Sequence, residues 1–334
     1  MQPRACVLGV SGTRLGDREA ALMADLNPLG FILFAYNVVD PVQVGRLVSD
    51  LRAAVGRPDA PILIDQEGGR VRRLRPPHWF DAPSAKALGA ARDPLRANWL
   101  SARLIADDLS ALGITVNCAP VLDVPQPGAD PIIGDRAHGE DPVAITDRAR
   151  AYAAGLTAGG VSPVIKHIPG HGRAEADSHK ALPVVKADRA ALESIDFPPF
   201  LDLRDAPWAM TAHVVYEAFD KAAPATTSKR VIEEVIRGIC GFDGLLISDD
   251  LAMQALSGSL EERAEAVLAA GCDLVLYCNN ERAPLETVES VARHCPALSE
   301  AAEHRWRLAE AKRGVAGPFD CAGALAELQG LLED

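Results

Sequence analysis

The sequence predicts an α/β protein built as a single (β/α)8 barrel of the TIM type, with extra helices at its C-terminal end. Two observations favour this fold. Eight short apolar runs alternate with longer amphipathic stretches, and several runs are apolar on consecutive residues, as in parallel strands covered on both faces. A doubly wound open sheet is the alternative, but no clear GxGxxG motif follows an early run.

The predicted strands follow one another at intervals that leave room for a helix after most of them. They are, in order, 6–10, 30–34, 61–65, 114–121, 163–167, 208–214, 244–249 and 273–278. Amphipathic stretches predict helices at 41–55, 92–112, 142–159, 188–204, 229–240 and 260–271, with more helix over 283–314. Residue types that start or stop helices stand at several of these ends: Asp141-Pro142 and Ser228 at starts, and Gly160, Gly241 and Gly271 at stops.

One domain accounts for the whole chain of 334 residues, since no linker-like segment interrupts the alternation. Single α/β barrels commonly contain about 250 residues or more. We therefore expect one domain over 1–334, with the barrel at 5–295 and a helical extension at 296–334 that packs on the outside of the barrel.

The composition is that of an ordinary globular protein, with 48% hydrophobic and 24% charged residues, which excludes a disordered chain. The net charge of −12 argues against a nucleic-acid partner. The N-terminal residues lack a signal-peptide pattern and no run of 18 apolar residues occurs, so no membrane partner is expected. The seven cysteines are scattered and odd in number, which favours reduced thiols and a cytoplasmic protein.

Polar residues resume directly after the predicted strands, at the end of a barrel where enzymes place their active sites. They are Asp65-Gln66-Glu67 after the third strand, Asp123 after the fourth, Lys166-His167 at the fifth, His213 at the sixth and Ser248-Asp249-Asp250 at the seventh. Polar residues also resume at strand ends for structural reasons. The pattern therefore favours an enzyme without identifying the reaction.

Three of the eight histidines fall in one segment rich in glycine and proline, KHIPGHGRAEADSH at 166–179, which we predict to be a long loop. A metal site is one hypothesis, with His167, His171, His179 and Asp177 as ligands, although the helical spacing of common zinc motifs is absent. Acid/base catalysis by His179, oriented by Asp177 two residues earlier, is a second. A loop held together by histidine hydrogen bonds is the third.

Two adjacent acids, Asp249 and Asp250, end the seventh predicted strand. An aspartate in this place often caps the following helix. Two in succession allow one to cap while the other points into the barrel mouth, where a carboxylate on a rigid strand end can act as a nucleophile or a general base.

Two further motifs, IDQEGGRV at 64–71 and GDRAHGEDP at 134–142, mix glycines with charges of both signs. Each alone is typical of an ion-paired turn. Together with the histidine loop and the paired acids, they indicate side chains that hold a substrate.

In this order, the motifs IDQEGGRV, GDRAHGEDP, KHIPGHG with DSH, and ISDDL resemble the family 3 glycoside hydrolases. Within that family the chain is most similar to the single-domain bacterial β-N-acetylhexosaminidases of peptidoglycan recycling. The resemblance covers residues 5–280, and Ile168 replaces the common Phe, an apolar exchange. Many relatives take their acid/base from a second domain, whereas the Asp-Ser-His loop marks the N-acetylglucosaminidase branch.

The resemblance implies a role for each matching residue. Asp249 matches the nucleophile and Asp250 its neighbour at the helix start, while His179 matches the acid/base and Asp177 its partner. The residues that match the hydroxyl-binding side chains for a terminal N-acetylglucosamine are Asp65, Arg136, Lys166 and His167, and Arg70 and His213 lie in matching segments. Neither a metal nor a cofactor is expected.

These roles imply a retaining hydrolase that removes terminal, non-reducing N-acetyl-β-D-glucosamine from N-acetylglucosaminyl-anhydro-N-acetylmuramyl peptides through a covalent glycosyl-aspartate. Three alternatives stay open: a β-N-acetylglucosaminide phosphorylase, a β-glucosidase of the same family, and a non-catalytic sugar-binding barrel. The loop at 168–179 is expected to close over the bound sugar. The sequence does not determine the oligomeric state, and a monomer is the simplest expectation.

Overall fold

A computed structural model describes residues 2–178, 180–279 and 282–333. Its centre is a closed barrel of eight parallel strands in which the first strand along the chain pairs with both the second and the last, so the predicted (β/α)8 fold is confirmed. The strands are β1 Arg4–Gly9, β2 Pro28–Leu33, β3 Ile62–Ile64, β4 Val116–Asn117, β5 Ser162–Ile168, β6 Trp208–Thr211, β7 Leu245–Asp250 and β8 Leu274–Tyr277. A separate pair of two-residue strands, Val184–Val185 and Val215–Tyr216, lies outside the barrel.

Each predicted strand overlaps an observed one, and the fourth is much shorter than predicted. The apolar run at 114–121 forms a regular strand only over Val116–Asn117, and Val121 adds a single parallel bridge to Lys166 of β5. Pro120 interrupts the strand between them, because it has no N–H to donate to a neighbouring strand.

The longer helices surround the barrel, as expected for this fold. They are Asp17–Leu26, Pro41–Ala54, Pro94–Ala111, Pro142–Ala158, Val231–Ile239, Leu260–Ala270, Leu285–Arg293, Glu300–Lys312 and Cys321–Leu332, with a short one at Ala85–Gly89. The helix predicted at 188–204 is instead three short pieces, Arg189–Ala191, Leu192–Asp196 and Pro198–Asp202, because two successive prolines interrupt the hydrogen-bond ladder. The helix Asp17–Leu26 was not predicted.

The predicted helix ends have the expected geometry. Asp141 accepts a hydrogen bond from the Ala144 N–H at 2.8 Å, and the Ser228 hydroxyl accepts one from the Val231 N–H at 3.1 Å. Gly271 ends its helix with a φ of 115°, a left-handed conformation that costs glycine little.

The C-terminal extension differs from the expectation that it lies only on the outside of the barrel. The helix Glu300–Lys312 buries Trp306 in the same apolar cluster as the inward-facing strand residues Val7, Leu63 and Trp208. Arg305 of this helix forms ion pairs with Asp243 and Asp273, which precede β7 and β8. The helix therefore covers the end of the barrel where the strands begin, because large apolar side chains there need cover from water.

The last helix, Cys321–Leu332, does pack on the outside. Arg103 of the helix Pro94–Ala111 lies 4.1 Å from the centre of the Phe319 ring, and Arg96 pairs with Glu327 at 2.7 Å. Within the described ranges, no helix has the length and apolar character needed to span a membrane.

We expect Gly9→Ala to destabilise the barrel where its first and last strands meet. A Cβ atom at Gly9 would lie 1.9 Å from the carbonyl oxygen of Cys278, so one strand would have to move. Overpacking of this kind costs about 1–3 kcal/mol of the free energy of unfolding.

Urea unfolding followed by circular dichroism measures this difference. Gly45→Ala is the matched control, because a Cβ there meets no atom within 4 Å and lies in the helix Pro41–Ala54, where alanine is favoured by up to about 1 kcal/mol. Equal stability of Gly9→Ala and the native chain would contradict the close approach of these two strands.

Candidate active site

A cavity of about 270 Å³ opens at the C-terminal ends of the barrel strands. It brings together six of the residues predicted from sequence: Asp65, Arg70, Arg136, Lys166, His167 and Asp249. One part of its wall is apolar, with Phe34, Met210, Met253 and Leu276. A pocket with this mixture of charged and apolar walls suits a sugar, whose hydroxyls need polar partners and whose ring faces are apolar.

The Lys166 side chain stands at the centre of the charged wall. Its Nζ lies 2.9 Å from an oxygen of Asp65 and 2.7 Å from an oxygen of Glu67, and it is almost completely buried on β5. Burial by itself would lower the pKa of Lys166, but the two carboxylates outweigh it and raise that pKa above its ordinary value. The ammonium group is therefore held charged and in one place.

Glu67 joins this lysine to Arg136, and sequence analysis did not single it out as a site residue. Arg136 Nε and Nη2 donate to the two Glu67 oxygens, each at 2.9 Å, in a bidentate pair. Burial favours the neutral acid, yet the charges of Arg136 and Lys166 hold the pKa of Glu67 far below its ordinary value. Sequence analysis could have found Glu67, because it is an acid in the same motif, two residues after Asp65.

Asp65 has a second cationic partner that sequence analysis also missed. Arg73 Nη2 lies 3.1 Å from Asp65 Oδ2, and its guanidinium is stacked 5.1 Å from the centre of the Phe34 ring. Burial alone would raise the pKa of Asp65, but Lys166 and Arg73 lower it below its ordinary value.

The turn that carries Asp65 and Glu67 is held by buried hydrogen bonds. Gln66 accepts the Arg73 N–H at 2.8 Å and donates to the Leu74 carbonyl at 2.9 Å. Tyr152, from the helix Pro142–Ala158, donates to the Glu67 carbonyl at 3.1 Å. At Gly68, with a φ of 106°, a side chain would meet the Pro83 carbonyl oxygen at 2.2 Å, so this turn needs glycine.

His167 is oriented by Asp123, which sequence analysis placed after the fourth strand without giving it a role. Asp123 is completely buried, and its carboxylate accepts the His167 Nδ1–H at 2.7 Å and the His171 backbone N–H at 2.6 Å. The Nε2 atom of His167 then faces Arg136 Nη2 at 3.5 Å and the cavity. Because an arginine can only donate, this arrangement places the histidine proton on Nδ1.

The two acids at the end of β7 both line the cavity, but their partners differ. The helix cap predicted for one of them is not formed, because the next helix, Leu260–Ala270, is capped by Ser259. Asp249 is half-buried and lines the cavity. The buried Asp250 carboxylate accepts the backbone N–H groups of Cys278 at 3.0 Å and Ala252 at 3.1 Å. Burial raises the pKa of Asp250 to about 6.

The loop after β5 returns to the cavity at Ser178. This residue is buried, lines the cavity, and contacts His171 through its hydroxyl, 3.2 Å from the ring Nε2. Its neighbour Asp177 lies 3.5 Å from Lys180 Nζ. The predicted acid/base, His179, lies outside the described residues.

Of the two remaining predicted residues, Arg70 lines the cavity and His213 does not. Arg70 lines the rim of the cavity, where it pairs with Asp135 at 2.6 Å and donates to the Ile132 carbonyl. His213 is fully buried and does not line the cavity. Its ring nitrogens lie 2.7 Å from the Thr226 hydroxyl and 3.0 Å from the Asp250 carbonyl. His213 therefore contacts the backbone at the end of β7.

The metal hypothesis included His179, which lies outside the described residues, and the other two histidines of the set have protein partners. The Asp123 carboxylate accepts a hydrogen bond from His167 Nδ1. The Ser178 hydroxyl lies within hydrogen-bond distance of His171 Nε2. Across the part of the chain that the structure describes, no group of three or more His, Cys, Asp or Glu side chains is arranged to hold a metal ion.

Comparison with known proteins identifies the family of this chain. Residues 6–306 match the model of the glycosyl hydrolase family 3 N terminal domain. A protein named beta-hexosaminidase from Alkalilimnicola ehrlichii is 42% identical over 298 residues, which cover 87% of this chain and 84% of that protein.

Solved structures agree as well. NagZ from Neisseria gonorrhoeae matches with a TM-score of 0.87 and 31% identity over 100% of this chain and 99% of that one. The same enzyme in complex with N-trifluoroacetyl-D-glucosamine matches with a TM-score of 0.87. The chain therefore belongs to glycosyl hydrolase family 3, as a (β/α)8-barrel glycosidase of the β-hexosaminidase type.

Proposed function

We propose that this enzyme is a retaining β-N-acetylhexosaminidase of the cytoplasm that removes terminal, non-reducing N-acetyl-β-D-glucosamine from muropeptides in cell-wall recycling. The observation that carries the proposal is the position of Asp249, whose carboxylate lines the same cavity as the charged cluster around Lys166. The N-trifluoroacetyl-D-glucosamine bound by the gonococcal NagZ supports an N-acetylglucosamine substrate here. No cofactor, nucleic acid or membrane is needed for this reaction.

Binding of the terminal sugar is assigned to Asp65, Arg136, Lys166 and His167, with Arg70 at the rim. A sugar hydroxyl both donates and accepts, so it needs a carboxylate on one side and a cation or imidazole on the other. Asp65 and Lys166, 2.9 Å apart, offer that pair of partners at one point of the wall. Their own ion pairs hold them in place before the sugar arrives, which lowers the entropy cost of binding.

In the first chemical step, Asp249 attacks the anomeric carbon as the bond from that carbon to the glycosidic oxygen breaks. Protonated His179, oriented by Asp177, gives its proton to the departing oxygen. The transition state has oxocarbenium character and the product is a glycosyl ester of Asp249. The aglycone leaves as an alcohol.

In the second step, neutral His179 removes a proton from water while the water oxygen attacks the anomeric carbon. The ester bond to Asp249 breaks, so the carboxylate is regenerated and the sugar leaves with its β configuration retained. A histidine suits both steps, because its ordinary pKa lies near neutral pH and lets it act first as an acid and then as a base.

Three alternatives make different predictions for the products. A phosphorylase would release the sugar 1-phosphate when inorganic phosphate is added, whereas a hydrolase releases the free sugar with or without it. A β-glucosidase would prefer nitrophenyl β-glucoside to the N-acetylglucosaminide. A non-catalytic barrel would bind sugar without turnover.

We expect Asp249→Asn to lower kcat for 4-nitrophenyl N-acetyl-β-D-glucosaminide by at least about 1,000-fold, because a neutral amide cannot form the covalent intermediate. Release of nitrophenol measures the rate. Asp202→Asn, an exposed aspartate on an outer helix, is the control and should retain the native rate. A rate above one tenth of the native value in Asp249→Asn would exclude Asp249 as the nucleophile.

We expect His179→Ala to affect substrates according to their leaving group. A disaccharide aglycone needs protonation, so its kcat/KM should fall at least about 100-fold more than that of a dinitrophenyl glycoside, whose leaving group departs as an anion. His304→Ala, an exposed histidine on the helix Glu300–Lys312, is the control. Equal losses for the two substrates would argue against acid catalysis by His179.

We expect Lys166→Met to lower kcat/KM about 100-fold for all substrates that share the terminal sugar, since hydrogen bonds from a charged group contribute about 1.5–3 kcal/mol each. The loss should be independent of the leaving group, unlike that of His179→Ala. Lys221→Met, at an exposed lysine, is the control. A variant with native kcat/KM would show that this lysine has a structural role only.

A further inference from the structure

The loop that carries the proposed acid/base is tied to the barrel at Ser178. We propose that Ser178, held by the buried His171 and Asp123, is a positioning residue for its sequence neighbours Asp177 and His179 in the proposed reaction. The inference rests on the proposed function, because it needs His179 as the acid/base. The three residues concerned, Asp123, His171 and Ser178, form a chain of contacts and do not take part in the bond-breaking steps themselves.

Asp123 is the base of this chain. It is completely buried and accepts three N–H groups: the backbone N–H of His167 at 3.2 Å, that of His171 at 2.6 Å, and the His167 Nδ1–H at 2.7 Å. Burial by itself would raise the pKa of Asp123, but these partners outweigh it and lower that pKa. A buried carboxylate with three donors is a rigid anchor, since moving it would leave a charge unpaired.

His171 is the middle of the chain. Its backbone is fixed by Asp123, and its buried ring packs edge-on against the His167 ring, with centroids 5.8 Å apart. The ring Nε2 lies 3.2 Å from the Ser178 hydroxyl. Burial lowers the pKa of His171 to about 4, so the imidazole is neutral at neutral pH and does not compete with His179 for the catalytic proton.

Ser178 is held from two sides of the barrel mouth. Its hydroxyl contacts His171 in the loop after β5, and its carbonyl accepts the Ala255 N–H, in the loop after β7, at 3.2 Å. That second loop follows Asp249 directly in the chain. The two contacts therefore tie the acid/base loop to the same strand end that carries the proposed nucleophile.

Ser178 is next in sequence to both residues of the proposed acid/base pair. It stands between Asp177 and His179, and adjacent Cα atoms are about 3.8 Å apart, so fixing Ser178 restricts both neighbours. Proton transfer requires donor and acceptor within hydrogen-bond distance, and small displacements from that geometry cost large factors in rate. Loss of the Ser178 contact should thus impair protonation of the leaving group more than attack by Asp249.

The test compares Ser178→Ala, His171→Phe and the double variant in the full-length enzyme. We expect kcat/KM for N,N′-diacetylchitobiose to fall at least about tenfold more than for a dinitrophenyl N-acetyl-β-D-glucosaminide. If the two residues act through one hydrogen bond, the double variant should lose no more than the worse single variant. Ser178→Thr keeps the hydroxyl and should recover most of the disaccharide rate.

Ser162→Ala is the matched control, because Ser162 is also a buried serine, at the start of β5, and its hydroxyl has no hydrogen-bond partner in the described residues. Thermal unfolding of each variant shows whether it is folded, and Ser178→Ala alone suffices if His171→Phe is not. Equal losses for both substrates, or additive losses in the double variant, would overturn the positioning role. If His179→Ala itself shows no dependence on the leaving group, the proposed acid/base fails and this inference with it; if only the Ser178 variants lack that dependence, the inference alone fails.

Discussion

The active site depends on one buried ion cluster, in which Lys166 bridges Asp65 and Glu67. Arg73 and Arg136 complete it, so three cations face two carboxylates within short distances. Removing such charges from water is costly, and the cost is offset only when each charge has close, well-aligned partners. The cluster meets that condition, since each carboxylate lies within 3.1 Å of two of the cations. The arrangement that satisfies the charges also presents them to the cavity.

The two acids at the end of β7 also differ in the partners of their carboxylates. The Asp250 carboxylate accepts backbone N–H groups of neighbouring segments, and burial raises its pKa. Asp249, one residue earlier, faces the cavity. Alternation of side chains along a strand is enough to give two adjacent, identical residues opposite surroundings. In the proposed mechanism Asp249 attacks, and Asp250, which also lines the cavity, instead holds the backbone N–H groups of Ala252 and Cys278.

Much of the fold and part of the site could be predicted from sequence, and the limits have physical causes. Apolar runs identify buried parallel strands, and polar residues at their ends identified Asp65, Lys166 and Asp249. The partners Glu67, Arg73 and Asp123 were missed as site residues because their importance lies in pairing across strands, which sequence spacing does not show. His213 was placed with the sugar-binding residues because its segment matches the family, and the sequence did not show that its ring contacts Thr226 and the Asp250 carbonyl. Whether each of these residues faces the site depends on its tertiary contacts and not on its residue type.

The helix that covers the starting ends of the strands has a consequence for how the protein is made. Trp306 belongs to the apolar cluster inside the barrel, although it lies about thirty residues after the last strand. A ribosome adds it only after all eight strands have been synthesised. Until then the interior lacks its cover, so the growing chain exposes apolar surface that a chaperone can bind. The C-terminal stretch, which carries no catalytic motif, therefore completes the apolar cluster of the barrel.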